Sequence, residues 1–269
     1  MVFDRSQTYQ FALFFRESTE EPSAEALRKL PDIVTDMSGI EDSLGLTRLT
    51  RVDSEASFIV GDMGLVPAQQ TVWQAGGGIW KLLFQTNRLD LHFNAGEYTE
   101  IIGSDDPPSY DAVRERVIPI LNQACTLLGK TIARIGIVYS GESSCRNRKS
   151  PAEIVARVFY NSDTINETAA GNILDISARI NRFTQWSLPT ASGSETEIRV
   201  NRIEEGQARW RVTAGHPDTT LHWRLDVNIS PMEALEGVTF KNNVLDAFSN
   251  HAIDWMSERI THMSEIENE

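Results

Sequence analysis

Residues 71–85, TVWQAGGGIWKLLFQ, followed by 88–102, RLDLHFNAGEYTEII, decide how this chain folds. Gly76, Gly77 and Gly78 separate two tryptophan-bearing apolar runs. Glycine reaches positive φ at no steric cost, so a tight hairpin turn is expected there. Thr86-Asn87 divides the next two runs into a second hairpin, and Asn94-Ala95-Gly96 predicts a third turn before a closing strand, EYTEII. The stretch therefore reads as an antiparallel meander of four strands.

A helix is expected after Pro107 and Pro108. Ser109 is placed as its N-cap, and Asp111 sits where a helix dipole favours an acid. Val113, Val117, Ile120, Leu121, Ala124 and Leu128 fall on one stripe, and Gly129 ends the helix as a C-cap. Pro119 lies inside it and predicts a kink that wraps the helix over the sheet. Residues 131–141, TIARIGIVYSG, follow as a strand.

Upstream, YQFALFFRE at 9–17 alternates Phe11, Leu13 and Phe15 with Ala12 and Phe14. Apolar residues on both sides predict a central, covered strand. EPSAEALRKLP predicts a helix of about two turns that stops at Pro31. Residues 44–62 offer two short strands joined at Asp53–Ala56, and Pro67 closes this part.

Downstream, the polar run GESSCRNRKSPAE is the best boundary, which divides the chain into halves 1–141 and 142–269. In the second half, AEIVARVFY is a short helix and NILDISARINRFTQWSL supplies a strand. SETEIRVNRIE, GQARWRVTAG and TTLHWRLDVNIS read as three strands separated by Glu-Glu-Gly and Gly-His-Pro-Asp turns. In the last, Leu221, Trp223, Leu225 and Val227 point one way, and His222, Arg224, Asp226 and Asn228 the other. A terminal helix over 242–263 carries Leu245, Phe248, Ala252, Met256 and Met263 at helical spacing. The fold class is therefore α+β: two antiparallel meander sheets, or one continuous curved sheet, each packed by a long amphipathic helix.

A chain of 269 residues buries enough surface to be stable without a staple. With 41% hydrophobic and 23% charged residues, and no run near the ~18 apolar residues of a membrane span, a globular protein without a membrane partner is expected. MVFDRSQTYQ lacks the apolar core of a secretory signal, so a cytoplasmic location is expected. Cys125 and Cys145 read as free thiols. The net charge of −13 repels phosphate backbones and favours a basic protein partner over nucleic acid. A homo-oligomer is the other arrangement to test.

No catalytic residue, cofactor or metal site is assigned. Cys145 stands beside Arg146, Arg148 and Lys149, a setting that lowers a thiol pKa, but no histidine is placed near it in sequence and the bland reading is an inert loop cysteine. The same three basic residues are candidates for docking an anion or an acidic partner. His251 and His262 lie 11 residues apart, and HExxH is absent, so these and His216 and His222 read as polar-face histidines. Asp105 and Asp106 suit a turn. The three glycines precede Ile79, Trp80 and Lys81 rather than a Lys-Ser/Thr, so they are no phosphate loop, and G-x-S-x-G is absent. The tryptophans read first as core. Trp73, Trp80 and Trp223 are candidates for lining a groove between sheet and helix that holds an apolar ligand or an extended peptide.

IWKLLFQ, RLDLHFN, PPSYDAVRERVIPILNQA, RIGIVY, LDVNIS and ERIT, in this order, resemble a sporadically distributed, uncharacterised family of bacterial proteins of about this length. The likeness runs from Trp80 onward. The family's Arg-Tyr-hydrophobic-Asn-Arg run after the first helix is represented here by RIGIVYSG. The resemblance implies an α+β protein carried on mobile or defence-associated loci and brings no functional residues with it. The expected function is thus a non-enzymatic interaction or accessory protein in anti-phage defence or a toxin-linked system. The alternative is a module that binds a small apolar ligand or peptide.

Overall fold

The computed structural model describes residues 6–15, 23–38, 50–53, 57–61, 64–68, 71–85, 87–102, 108–130, 132–143, 150–160, 176–189, 195–213, 216–229 and 242–268. In chain order the elements are β1 (Ser6–Phe15), α1 (Ala24–Ser38), β2 (Thr50–Asp53), β3 (Ser57–Gly61), β4 (Gly64–Ala68), β5 (Thr71–Gly77), β6 (Trp80–Gln85) and β7 (Arg88–Asn94). They continue with α2 (Ala95–Ile102), α3 (Tyr110–Leu128), β8 (Ile132–Ser143), α4 (Pro151–Tyr160), β9 (Ile176–Pro189), β10 (Glu195–Thr213), β11 (His216–Ile229) and α5 (Asn242–Asn268).

Nine strands form one antiparallel sheet in the order β2-β5-β6-β7-β1-β8-β11-β10-β9, and β3 and β4 pair separately. Leaving aside the edge strand β2, the order is symmetric about the β1–β8 junction: β7 answers to β11, β6 to β10, and β5 to β9. Leaving aside also the β3–β4 hairpin and the short helix α2, each side runs as a strand, a helix, a three-stranded meander and a longer helix. Two meanders are therefore present, and they share one sheet. Strand β8 crosses residues 141 and 142, so the sequence boundary drawn there falls inside a central strand.

Alternation explains the layers. Tyr9, Phe11, Leu13 and Phe15 of β1, Leu89, Leu91 and Phe93 of β7, and Leu221, Trp223, Leu225 and Val227 of β11 are buried on one face. Against it lie α3, through Val113, Val117, Ile120, Leu121, Ala124 and Leu128, and α5, through Leu245, Phe248, Ala252, Met256 and Met263. Tyr110 joins the two helices, its hydroxyl 2.8 Å from Ser249 Oγ in a buried hydrogen bond. Ser109 Oγ accepts from Ala112 N at 3.3 Å, and Gly129 closes α3 at φ 61°. Gly78, at φ 75°, makes the β5–β6 turn.

Four expectations give way to the tertiary structure. EYTEII is helix α2, because Asn94 Oδ1 accepts from Glu97 N at 3.2 Å and caps a helix where a strand was expected. The first helix does not stop at Pro31 but runs to Ser38, since packing of Leu30 and Ile33 into the core outweighs the one backbone bond that proline removes. SETEIRVNRIE and GQARWRVTAG form one strand, β10, with Glu204-Glu205-Gly206 inside it. His216, Pro217 and Asp218 lie within β11 instead of a turn.

Candidate functional site

The helices whose sheet contacts are described all reach the same face. Phe159 of α4 meets Trp223, Trp186 meets Phe248 and His251 of α5, and Tyr98 of α2 meets Phe93. The opposite face carries the even-numbered residues of β8 and β11 and the odd-numbered residues of β10. Its register sets polar side chains in rows across three strands: Ser140, Arg224 and Glu205 in one, Glu142, His222 and Gln207 in the next.

Between these rows runs a third, Gly141, Trp223 and Gly206, whose side-chain direction is inward. Gly141 and Gly206 flank the indole, and at Gly206 the reason is steric. A Cβ on Gly206 would stand 2.6 Å from Trp223 Cζ3 and 2.7 Å from Phe159 Cε2. On the outer side this row offers only main chain, and the polar rows rise around it. The result is a cleft of about 280 Å³ lined by these residues and Arg209.

Its charges are largely matched. His222 Nδ1 is 2.9 Å from Glu142 Oε1. Arg224 reaches Glu205 at 3.2 Å and Asp226 at 2.8 Å, and Arg179 also holds Glu205 at 3.2 Å. Thr220 Oγ1 lies 3.5 Å from His222 Nε2, which places hydroxyl, imidazole and carboxylate in series. That order suits a nucleophile and its base. Here the hydroxyl is 4% exposed and does not line the cleft, so no substrate carbonyl can approach it from there.

Further along the same face, Asp90 is buried between Arg88 Nε at 2.7 Å and Gln10 Nε2 at 2.8 Å. Phe14 lies under the guanidinium groups of both Arg88 and Arg134. Burial pushes His92 below the ordinary imidazole range, against the pull of Asp90 and with Lys81 and Arg88 adding to the fall. On the helix face, burial lowers His251 and Arg202 lowers it further, while Glu204 is bound by Arg259 Nε at 2.9 and 3.1 Å. Among the described residues no group of three His, Cys, Asp or Glu could hold a metal ion.

A second concavity, of about 710 Å³, lies between α1 and α3. Ile33, Ile118, Pro119 and Leu127 make its apolar wall, and Lys29, Asn122, Gln123 and Thr126 its rim.

Of the residues singled out from the sequence, Trp80 and Trp223 are 3% and 2% exposed. Trp80 packs on Phe93 and Trp223 on Phe159. The backbone of Trp73 belongs to β5, and its side chain lies outside the described residues. So do Cys145, Arg146, Arg148, Lys149, Asp105 and Asp106. Cys125 is half-buried in α3, where burial pushes its thiol up to about 12. The cleft itself was missed, although the alternation of β11 identified two of its residues, His222 and Arg224. Its third strand, β10, had been divided at Glu-Glu-Gly.

No protein-family model matches the chain, and no curated protein matches it. Among solved structures it is similar to the di-domain ARO/CYC StfQ from the steffimycin biosynthetic pathway. That likeness covers 97% of this chain and 96% of that one, with 11% identity and a TM-score of 0.22, which assigns this chain neither fold nor activity. Among the described residues no helix is long and apolar enough to cross a membrane.

Proposed function

We propose that this protein acts by binding and not by catalysis, as a cytoplasmic interaction or accessory protein in anti-phage defence or a toxin-linked system. The observation that carries this reading is the state of its ionisable groups. The tyrosine and cysteine groups displaced furthest, Tyr9, Tyr110, Tyr139 and Cys125, are displaced chiefly by burial in the core. On the open sheet face Asp90, Glu205 and Asp226 are instead held by neighbouring arginines. Catalytic sites more often set a charge partner against a group that opens into a cleft. The net charge of −13 favours a partner with a basic surface.

The test is reconstitution with the products of adjacent genes. Purified in pairs, one of them should form a complex with this chain that survives gel filtration at low salt and weakens as salt rises. If none associates at micromolar concentration, the interaction reading fails.

The groove between α1 and α3 favours a second reading, in which the protein holds a small apolar molecule. Its apolar wall and polar rim are those of a ligand pocket, and about 710 Å³ lies within the usual range. Native mass spectrometry of the freshly purified protein should then show a retained mass that Ile118→Asp abolishes. An identical mass in the variant would exclude this groove as its seat.

A further inference from the structure

The unspent hydrogen-bonding groups of the cleft on the open sheet face are not distributed at random. Glu142 is occupied by His222, and Glu205 by Arg179 and Arg224. Three other lining side chains, Ser140, Gln207 and Arg209, make no hydrogen bond or ion pair with any described residue. Between them they offer a hydroxyl, a carboxamide and a guanidinium with five N–H donors, so the spare capacity is strongly on the donor side.

Arg209 and Gln207 stand two residues apart on β10 and so share the outer face. A guanidinium fork matches the two oxygens of a carboxylate, and the neighbouring amide can donate to the same group. Glu205, which would otherwise repel an anion, is held by two arginines, and Glu142 is turned toward the His222 ring. In a chain of net charge −13, an arginine inside a cleft with no carboxylate partner among the described residues marks a place for one from outside.

We propose that this cleft binds a carboxylate through Arg209 and Gln207, with the paired groups of Glu142, His222, Glu205 and Arg224 forming its polar walls. The carboxylate can belong to a free small acid or to an acidic side chain presented by another protein. The volume of about 280 Å³ suits either a compact organic acid or a single side chain. This inference does not depend on the interaction reading above, which concerns a basic partner surface.

Isothermal titration of the full chain with succinate and, separately, with a ten-residue polyglutamate peptide tests it. Succinate binding to the native protein, weakened roughly tenfold to a hundredfold by Arg209→Ala and less by Gln207→Ala, is the expected result. Arg199→Ala, further along the same strand, should leave it unchanged. Peptide binding without succinate binding, with the same response to Arg209→Ala, would assign the carboxylate to a protein partner. Absence of both, or equal loss in Arg199→Ala, would overturn the proposal. Circular dichroism of each variant confirms that it is folded.

Discussion

Gly206 is the residue on which the fold and the cleft both depend. Its missing side chain lets Trp223 and Phe159 close over β10, and a methyl group there would meet ring carbons at 2.6 and 2.7 Å. Gly206→Ala should therefore cost on the order of 1–3 kcal/mol in urea denaturation, the range of overpacked cores. A loss under about 0.5 kcal/mol would mean that the rings yield. Cys125 gives a chemical check. With its thiol pushed up to about 12, native protein treated with iodoacetamide at neutral pH should leave Cys125 unmodified, and unfolded protein should not. Neither property could be read from the local sequence. Gly206 sits in a Glu-Glu-Gly run that resembles a turn, and what makes it a strand residue is a tryptophan 17 positions away on β11.

At the scale of elements, α3 was legible from end to end because its signals are local. Ser109, the apolar stripe and Gly129 act within one or two turns of each other, and all appear as expected. Gly129 meets nothing within 4 Å of a built Cβ, so its role is conformational. Gly129→Val should cost about 1 kcal/mol or more and Gly129→Asn much less, since Asn tolerates the left-handed region, and comparison of the two by thermal melting separates backbone from packing. Helix α2 carried a comparable signal, Asn94 followed by Glu97, but the glycine between them drew the reading toward a turn. Helix α1 and strand β10 were misjudged because Pro31 and Glu204-Glu205-Gly206 are local breakers that long-range burial overrides. In β10 the override is visible: Glu204, 4% exposed at its side chain, is held by Arg259 of α5.

At the scale of the molecule, the two halves meet through the β1–β8 pairing, where Tyr9 lies opposite Tyr139 with ring centroids 5.0 Å apart. Tyr110 packs edge-on against Tyr9. Burial raises all three phenols, Tyr9 to about 12, against an ordinary value of about 10 in the unfolded chain. A folded pKa raised above the unfolded one gives stability that is whole below about pH 10 and is lost as pH climbs toward the folded value. Stability should thus fall from about pH 10 to 12, at up to about 1.4 kcal/mol per pH unit for each tyrosine, and Tyr9→Phe should flatten the fall. A pH-independent unfolding free energy across that window would contradict the burial of the cluster. The shared sheet also predicts that a fragment of residues 142–269 will not fold, because the cut removes most of β8. A fragment of residues 130–269, which keeps that strand with its meander, should retain more structure by circular dichroism.

The sequence by itself determined the α+β class, the β5–β6 and β6–β7 hairpins, the capped helix α3 and the two-faced strand β11, because each rests on periodicity or on contacts within a few residues. Only the tertiary structure decided that the two meanders share one sheet, that β10 runs unbroken, and that Ser140, Glu142, Glu205, Gln207, Arg209, His222 and Arg224 line one cleft. Those facts depend on strand register between segments far apart in sequence, from Leu221 opposite Ser143 in β11 and β8 to Ser6 opposite Glu142 in β1 and β8, and register is set by which side chains bury against one another rather than by any local preference.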